Sequence, residues 1–225
     1  WATIVASISL GGRGIPLMMR SYRKGQYDSH LSRNHCEQAF IQHLLQLLPK
    51  DDRIVLIADR GFARVSLFQW LMQENISFII RTPRSVDVSS AKYSGPLSDL
   101  HVHNGEAYSL GSVQYTRRRL QFPNLVVARQ QQPDDSPDPW FLATNLPLHA
   151  GSICRMYARR MIIEQDFREA KSHLNWSDSR IRKVEHYQRL TTILLVALVL
   201  ATLVGRIAAR RPTLAALVAR RRKGS

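Results

Sequence analysis

The sequence predicts a mixed α/β layer fold. Two short, uninterrupted apolar runs, Arg53 to Ala58 (RIVLIA) and Ile76 to Ile80 (ISFII), have the composition of strands buried on both faces. Val65 to Gln73, between them, has the composition of a helix, and an earlier apolar pair is broken by a glycine turn. The resulting order of strand, strand, helix, strand, helix, strand belongs to layered α/β domains. A hydrophobic content of 44% supports a real core and excludes wholesale disorder. The length of 225 residues suits one ordinary domain, or one core with a sizeable insertion.

Taken in order, Thr3 to Leu10 (TIVASISL) is β-branched and apolar enough for a buried strand. Gly11-Gly12-Arg13-Gly14 has no helix after it, so it reads as a turn and not as a phosphate cradle. Ile15 to Met19 returns as the second strand of an antiparallel hairpin. Cys36 to Leu48 has helical spacing, with Phe40, Leu44, Leu45 and Leu48 on one side and Pro49 ending it. From about Pro83 to Pro147 the chain becomes β-rich, with strand-like runs at Ala107 to Leu110, Val113 to Leu120, Leu125 to Arg129 and Trp140 to Thr144. Asp134, Asp135 and Asp138 fall in a loose loop and read as a solvated acidic turn. His101 and His103 lack further ligands at metal spacing, which argues against zinc. A long helix is expected from Leu148 to about Leu174. An apolar helix follows from Leu190.

The formal charge of +15 comes from 32 Lys and Arg against 17 Asp and Glu. Such an excess favours polyanions, either nucleic acid or an acidic membrane. Cys36 and Cys154 form no disulfide framework, which agrees with a cytoplasmic setting, and both are expected to be small buried side chains. No signal peptide is visible. Leu190 to Gly205 is uncharged but shorter than the roughly 20 apolar residues of a spanning helix, so a fully buried helix that closes a core is expected.

Asp59 ends a buried strand just before Gly61, where open α/β sheets place ligand groups. Tyr157, Arg160, Glu164 and Lys171 follow Tyr-x2-Arg-x3-Glu-x6-Lys on the predicted long helix. At 100° per residue they fall within about 60° of one another and share one stripe. Most such stripes are solvent faces with spaced ion pairs. One acid among cations and a tyrosine also suits a metal ligand beside a bound phosphodiester, because carboxylate oxygen suits Mg²⁺ and Arg and Lys suit phosphate.

Asp59-Arg60-Gly61-Phe62, followed after an interruption by Tyr157, Arg160, Glu164 and Lys171, resembles the insertion-sequence transposases of the DDE class. The resemblance is greatest to the subgroup numbered four, known for its Tyr-Arg-Glu-Lys signature and a β-strand insertion before the last catalytic acid. Gly11 to Leu17 is similar to a hairpin turn of that subgroup, and the resemblance covers almost the whole chain. It implies a fold similar to ribonuclease H, a five-stranded mixed sheet flanked by helices, with a β-rich insertion before the last catalytic helix. It also implies that Asp59 is the second catalytic acid and Glu164 the third, holding two Mg²⁺, with Mn²⁺ able to substitute. Those ions would activate a water or a 3′ hydroxyl and stabilise the departing oxygen of an in-line displacement. Tyr157, Arg160 and Lys171 would hold transposon-end phosphates. The implied partners are double-stranded DNA, as transposon ends and target, and further copies of the chain in the DNA complex; no membrane is implied. Trp140 is expected in the core, with base stacking during hairpin formation as the alternative.

The first acid of that family sits on a first strand upstream of the hairpin. Residues 1 to 27 contain no Asp or Glu, and Asp28 falls in a loop after the second strand. The expectation is therefore an N-terminally truncated catalytic domain, missing its first core strand and inactive as given. Residues 1–82 form the first part of the core, 83–147 the insertion, 148–209 the last part, and 210–225 a basic tail. Two alternatives remain. One is a catalytically silent transposase remnant that at most binds DNA through its basic surface, and the other is a basic membrane-associated protein anchored by Leu190 to Gly205.

Overall fold

A computed structural model describes residues 2–10, 12–27, 30–49, 54–116, 120–130, 138–164, 181 and 183–210. The chain forms two compact units, Leu48–Met161 and a second made of Trp1–Leu47 with Ile162–Ser225.

In the second of these, β1 (Ala2–Leu10) and β2 (Arg13–Tyr22) form the expected antiparallel hairpin, with a bulge at Ala6/Ser7. Gly12 has φ +76°, a conformation open to glycine at little cost, which turns the chain between the strands. A short helix α1 (Lys24–Tyr27) precedes α2 (His30–Leu47). Helix α2 starts six residues before the predicted Cys36, because its first turns are polar and carry no apolar periodicity. It buries Phe40, Ile41 and Leu44, together with Glu37, whose carboxylate accepts from the Tyr27 hydroxyl at 2.7 Å and pairs with Arg33 at 3.0 Å.

The other unit is built on a five-stranded mixed sheet. Chain order gives β3 (Val55–Ala58), α3 (Val65–Gln73) and β4 (Ser77–Arg81), with β3 and β4 parallel. Then come β5 (Asp87–Ser90), β6 (Ser94–Pro96), β7 (Ala107–Ser109), β8 (Val113–Tyr115), β9 (Leu120–Phe122), β10 (Asn124–Ala128) and β11 (Trp140–Thr144). The large sheet runs β3-β4-β11-β10-β7, and a second, antiparallel sheet runs β6-β5-β8-β9. Residues 83–147 therefore supply three strands of the large sheet and all of the small one. Helix α4 (Ala150–Ala158) follows.

Successive side chains on β4 point to opposite faces, and each face finds a helix. Phe78 meets Phe68 of α3 at 5.6 Å, and Phe68 packs edge-on against Phe122 at 4.7 Å and Tyr115 at 5.7 Å. Ile79, Val126 and Leu142 instead form a cluster with Trp140 and with Ile153 and Tyr157 of α4. Two covered faces explain why β4, β10 and β11 read as continuous apolar runs. The expectation of a strand buried on both faces fails at β3. That strand is an edge strand among the described residues, and Val55, Leu56 and Ile57 are only half-buried.

Other expectations also need correction. Val113 to Leu120 is not one strand: β8 ends at Tyr115, Thr116 adopts φ +62°, and β9 begins at Leu120, antiparallel to β8. Cys36 and Cys154 are half-buried. The apolar helix α5 (Val184–Ala209) is not fully buried. Ile193, Val204 and Ile207 are 65%, 64% and 57% exposed, while Thr191 and Leu195 are covered. Within its unit α5 lies along β2, where Thr192 reaches Met19 and Arg206 reaches the Leu10 carbonyl. A two-stranded ribbon can cover one stripe of a helix that is apolar on every side.

Asn145 joins the sheet to the turn before β4. Its Oδ1 accepts from the Phe78 amide at 3.0 Å and its Nδ2 donates to the Ile76 carbonyl at 2.9 Å. Asn145→Ala leaves both groups without that partner and should destabilise the unit by about 1–3 kcal/mol. An unchanged urea midpoint would remove Asn145 from the sheet's supports.

Candidate functional site

The site begins where β3 leaves the sheet. Ala58 is buried and pairs in register with Ile80, so the next residue, Asp59, stands level with Arg81 at the carboxyl ends of two parallel strands. Asp59 has φ −81° and ψ 178°, and it caps a single 3-10 turn, Arg60–Phe62. Its Oδ1 accepts from the Gly61 amide at 2.8 Å. The turn is tied further by Arg64, whose Nη1 donates to the Gly61 carbonyl at 2.6 Å. One carboxylate oxygen thus fixes the turn, and the exposed side chain leaves the other open to a ligand.

Tyr157 comes from the last turn of α4. Its ring is fully buried, edge-on to Trp140 at 4.9 Å. Trp140 is thereby a core residue, as expected, and its base-stacking alternative has no support in this packing. The Tyr157 hydroxyl is buried and makes no hydrogen bond of good geometry. Burial pushes its pKa above the ordinary 10.0; Arg160 and Arg81 pull it back, and Asp59 pushes it up a little. These influences place one carboxylate and two guanidinium groups within electrostatic reach of one phenol. The Arg160 guanidinium carbon lies 5.2 Å from the Tyr157 ring centroid, a cation–π distance.

Asp59, Tyr157 and Arg160 are accordingly brought together, joined by Arg81, which sequence reasoning missed. Its signal was slight: a single base closing the apolar run Ser77–Arg81. Glu164 is exposed, lies in a helical stretch at 160–164, and belongs to the other unit. Lys171 lies outside the described residues, as does the expected helix end near Leu174.

The single long helix from Leu148 needs correction. Helix α4 ends at Ala158, and the Arg159 amide bonds back to the Met156 carbonyl at 3.2 Å before helix resumes at residue 160. That bond spans three residues and tightens the turn locally, while Arg159 keeps right-handed helical dihedrals, φ −62° and ψ −22°.

Carboxylate oxygens fit a hard divalent cation in kind. In number they fall short, since no group of three His, Cys, Asp or Glu converges among the described residues. His101 and His103 make only local contacts, with the Asp99 carbonyl and the Glu106 carboxylate. Asp138 pairs with Arg84 at 2.8 Å; Asp134 and Asp135 lie outside the described residues.

Among known families, the one described as Transposase DDE domain matches residues 27–200. No curated protein matches the chain.

The Arg160 guanidinium is the hydrogen-bonding neighbour of the buried Tyr157 hydroxyl. Tyr157→Phe removes that contact and should lower stability by about 1 kcal/mol; thermal melts unchanged from the parent protein would show that the hydroxyl makes no such bond. The raised pKa also gives a pH trend. Above pH 10.0 the unfolded chain ionises this tyrosine while the folded chain still holds its proton. Stability should therefore fall as pH climbs past the ordinary value, and less steeply in Tyr157→Phe, as followed by urea denaturation at stepped alkaline pH.

Proposed function

The chain belongs to the transposase DDE domain family, and we propose that it is the catalytic domain of a cut-and-paste insertion-sequence transposase of subgroup four. Members of such a family act on DNA with divalent metal ions. The observation that carries the finer reading is Asp59, exposed at a strand end, level with Arg81 and beside Tyr157 and Arg160. A carboxylate and two guanidinium groups within electrostatic reach of one phenol suit a metal next to a phosphodiester.

In this reading the large sheet is ribonuclease H-like, residues 83–147 are an insertion into it, 148–209 complete the core, and 210–225 are a basic tail. Asp59 is the second catalytic acid and Glu164 the third, and both are ligands of Mg²⁺ or Mn²⁺. When bound, a pair of such ions supplies charge stabilisation to the attacking and departing oxygens of an in-line displacement. Arg160 and Lys171 hold backbone phosphates of the transposon end, with Arg81 as a further cation. Tyr157 orients Arg160 through its ring and keeps a neutral hydroxyl beneath the phosphate. The Gly61 amide holds Asp59 in one rotamer, so its open oxygen is aimed before any ligand arrives. The partners are double-stranded DNA, as ends and target, and other copies of the chain, and the setting is cytoplasmic.

A second reading is favoured by the shortage of convergent acids among the described residues. In it the 225-residue chain binds DNA through its +15 charge without cutting it.

Binding and cleavage by the chain alone bear on both readings, and the acid variants separate them. The chain alone should retain DNA in mobility-shift assays yet give little Mg²⁺-dependent cleavage of transposon-end DNA; efficient cleavage would refute the need for a third acid. In a form of the protein that carries all three acids, Asp59→Ala or Glu164→Ala should abolish cleavage with binding largely kept, and retained cleavage would sink the assignment. Lys171→Ala should weaken end binding and reduce the salt slope by about one unit; an unchanged slope would take Lys171 off the phosphates.

A further inference from the structure

Helix α5 has two unlike faces. Thr191 and Leu195 are buried, and the half-buried Leu198 and Thr202 share their side. Opposite them Ile193, Val196, Leu200, Leu203, Val204 and Ile207 stand 44% to 65% exposed. At 100° per residue these six fall within an arc of about 100°. Ile193, Val196, Leu200, Leu203 and Ile207 also alternate by three and four, the spacing that seats one helix along another.

We propose that this outer face of α5 is a self-association surface on which the α5 of a second copy packs, antiparallel. The six side chains expose about 600 Å² per copy, so a pair covers about 1,200 Å², the lower bound of stable interfaces. A single apolar stripe is complementary to itself under a two-fold axis, with Leu200 of each copy meeting at the centre. The helix dipoles favour this direction, since antiparallel packing opposes them and parallel packing would align them. Ala197 and Ala201 flank the stripe and are exposed, which lets the backbones approach.

A lipid bilayer is the competing occupant, since by length and composition α5 could cross a membrane. Its uncharged stretch between Arg189 and Arg206 spans about 24 Å at ~1.5 Å per residue, against a hydrocarbon core of about 30 Å. The Arg206 guanidinium also donates to the Leu10 carbonyl at 3.5 Å, which holds this end of the helix on the hairpin. The surface gives a location to the self-association proposed above. Its test uses neither DNA nor metal, so its failure leaves the catalytic reading standing.

The full chain is followed by sedimentation velocity, and in parallel by flotation with phosphatidylcholine vesicles, which carry no net charge to attract a basic protein. The expected result is a concentration-dependent dimer, weakened at least tenfold by Leu200→Glu with far-UV circular dichroism unchanged. Leu200→Gln serves as an uncharged second variant. In a Cys36→Ser, Cys154→Ser background, copies carrying Ile193→Cys should cross-link to copies carrying Ile207→Cys, and neither should cross-link to itself. A chain monomeric at every concentration, a dimer indifferent to both Leu200 variants, or flotation lost in Leu200→Glu would overturn the proposal. Self-linking of Ile193→Cys would overturn the antiparallel arrangement.

Discussion

The parallel pairing of β3 with β4 is the constraint on which the candidate site depends. Parallel neighbours need a crossover, here α3, and a crossover sends both strands out of the sheet at the same end. Register then does the rest. With Ala58 opposite Ile80, Asp59 and Arg81 emerge together, although the sequence separates them by a helix and two turns. Helix α4 lies on the face that carries Ile79 and Leu142, and its last turn brings Tyr157 and Arg160 to the same neighbourhood. A slip of one residue between β3 and β4 would turn alternate side chains to the wrong face and part the acid from its cations.

The electrostatics of the site follow from this packing. Tyr157 is held by Trp140 and the surrounding aliphatic cluster, so its phenol cannot turn outward to find water. Burial raises its pKa above the ordinary 10.0, and Arg160 and Arg81 act against that rise. Asp59 differs, being exposed and half-engaged, with one oxygen on the Gly61 amide. An acid held on one side with its other oxygen open, near two cations, is an arrangement suited to a doubly charged ion and a phosphate arriving together.

Much of the fold was legible in the sequence, for reasons that vary by element. Helix α3 was read to its ends because its apolar residues face one side and Gly61 and Asn75 mark its flanks. The hairpin was legible from its glycine turn. Strands β5 and β6 were not, since Asp87–Ser90 and Ser94–Pro96 are polar or small and are recruited by a sheet neighbour and not by their own propensity. The break at Arg159 left no mark, because no Gly or Pro stands there. Of the site, Asp59 was legible from its strand end and Tyr157 and Arg160 from their spacing. Arg81 was hidden: only strand register brings it to Asp59, and register is a tertiary fact. The burial expected of α5 failed because composition records that a face is apolar and not what lies against it.

Strand β3 has one further consequence. Among the described residues its ladder is made on one side alone, by β4. The alternate amides and carbonyls of Val55, Leu56 and Ile57 that face away from β4 have no strand partner among the described residues. Such an edge should exchange its protons with solvent faster than β4 or β11, and it can template a strand from any chain that presents one. The positional precision of the acid at its tip therefore rests on a single ladder of four residue pairs, so the most chemically exacting atom of the site hangs from an edge strand of its sheet.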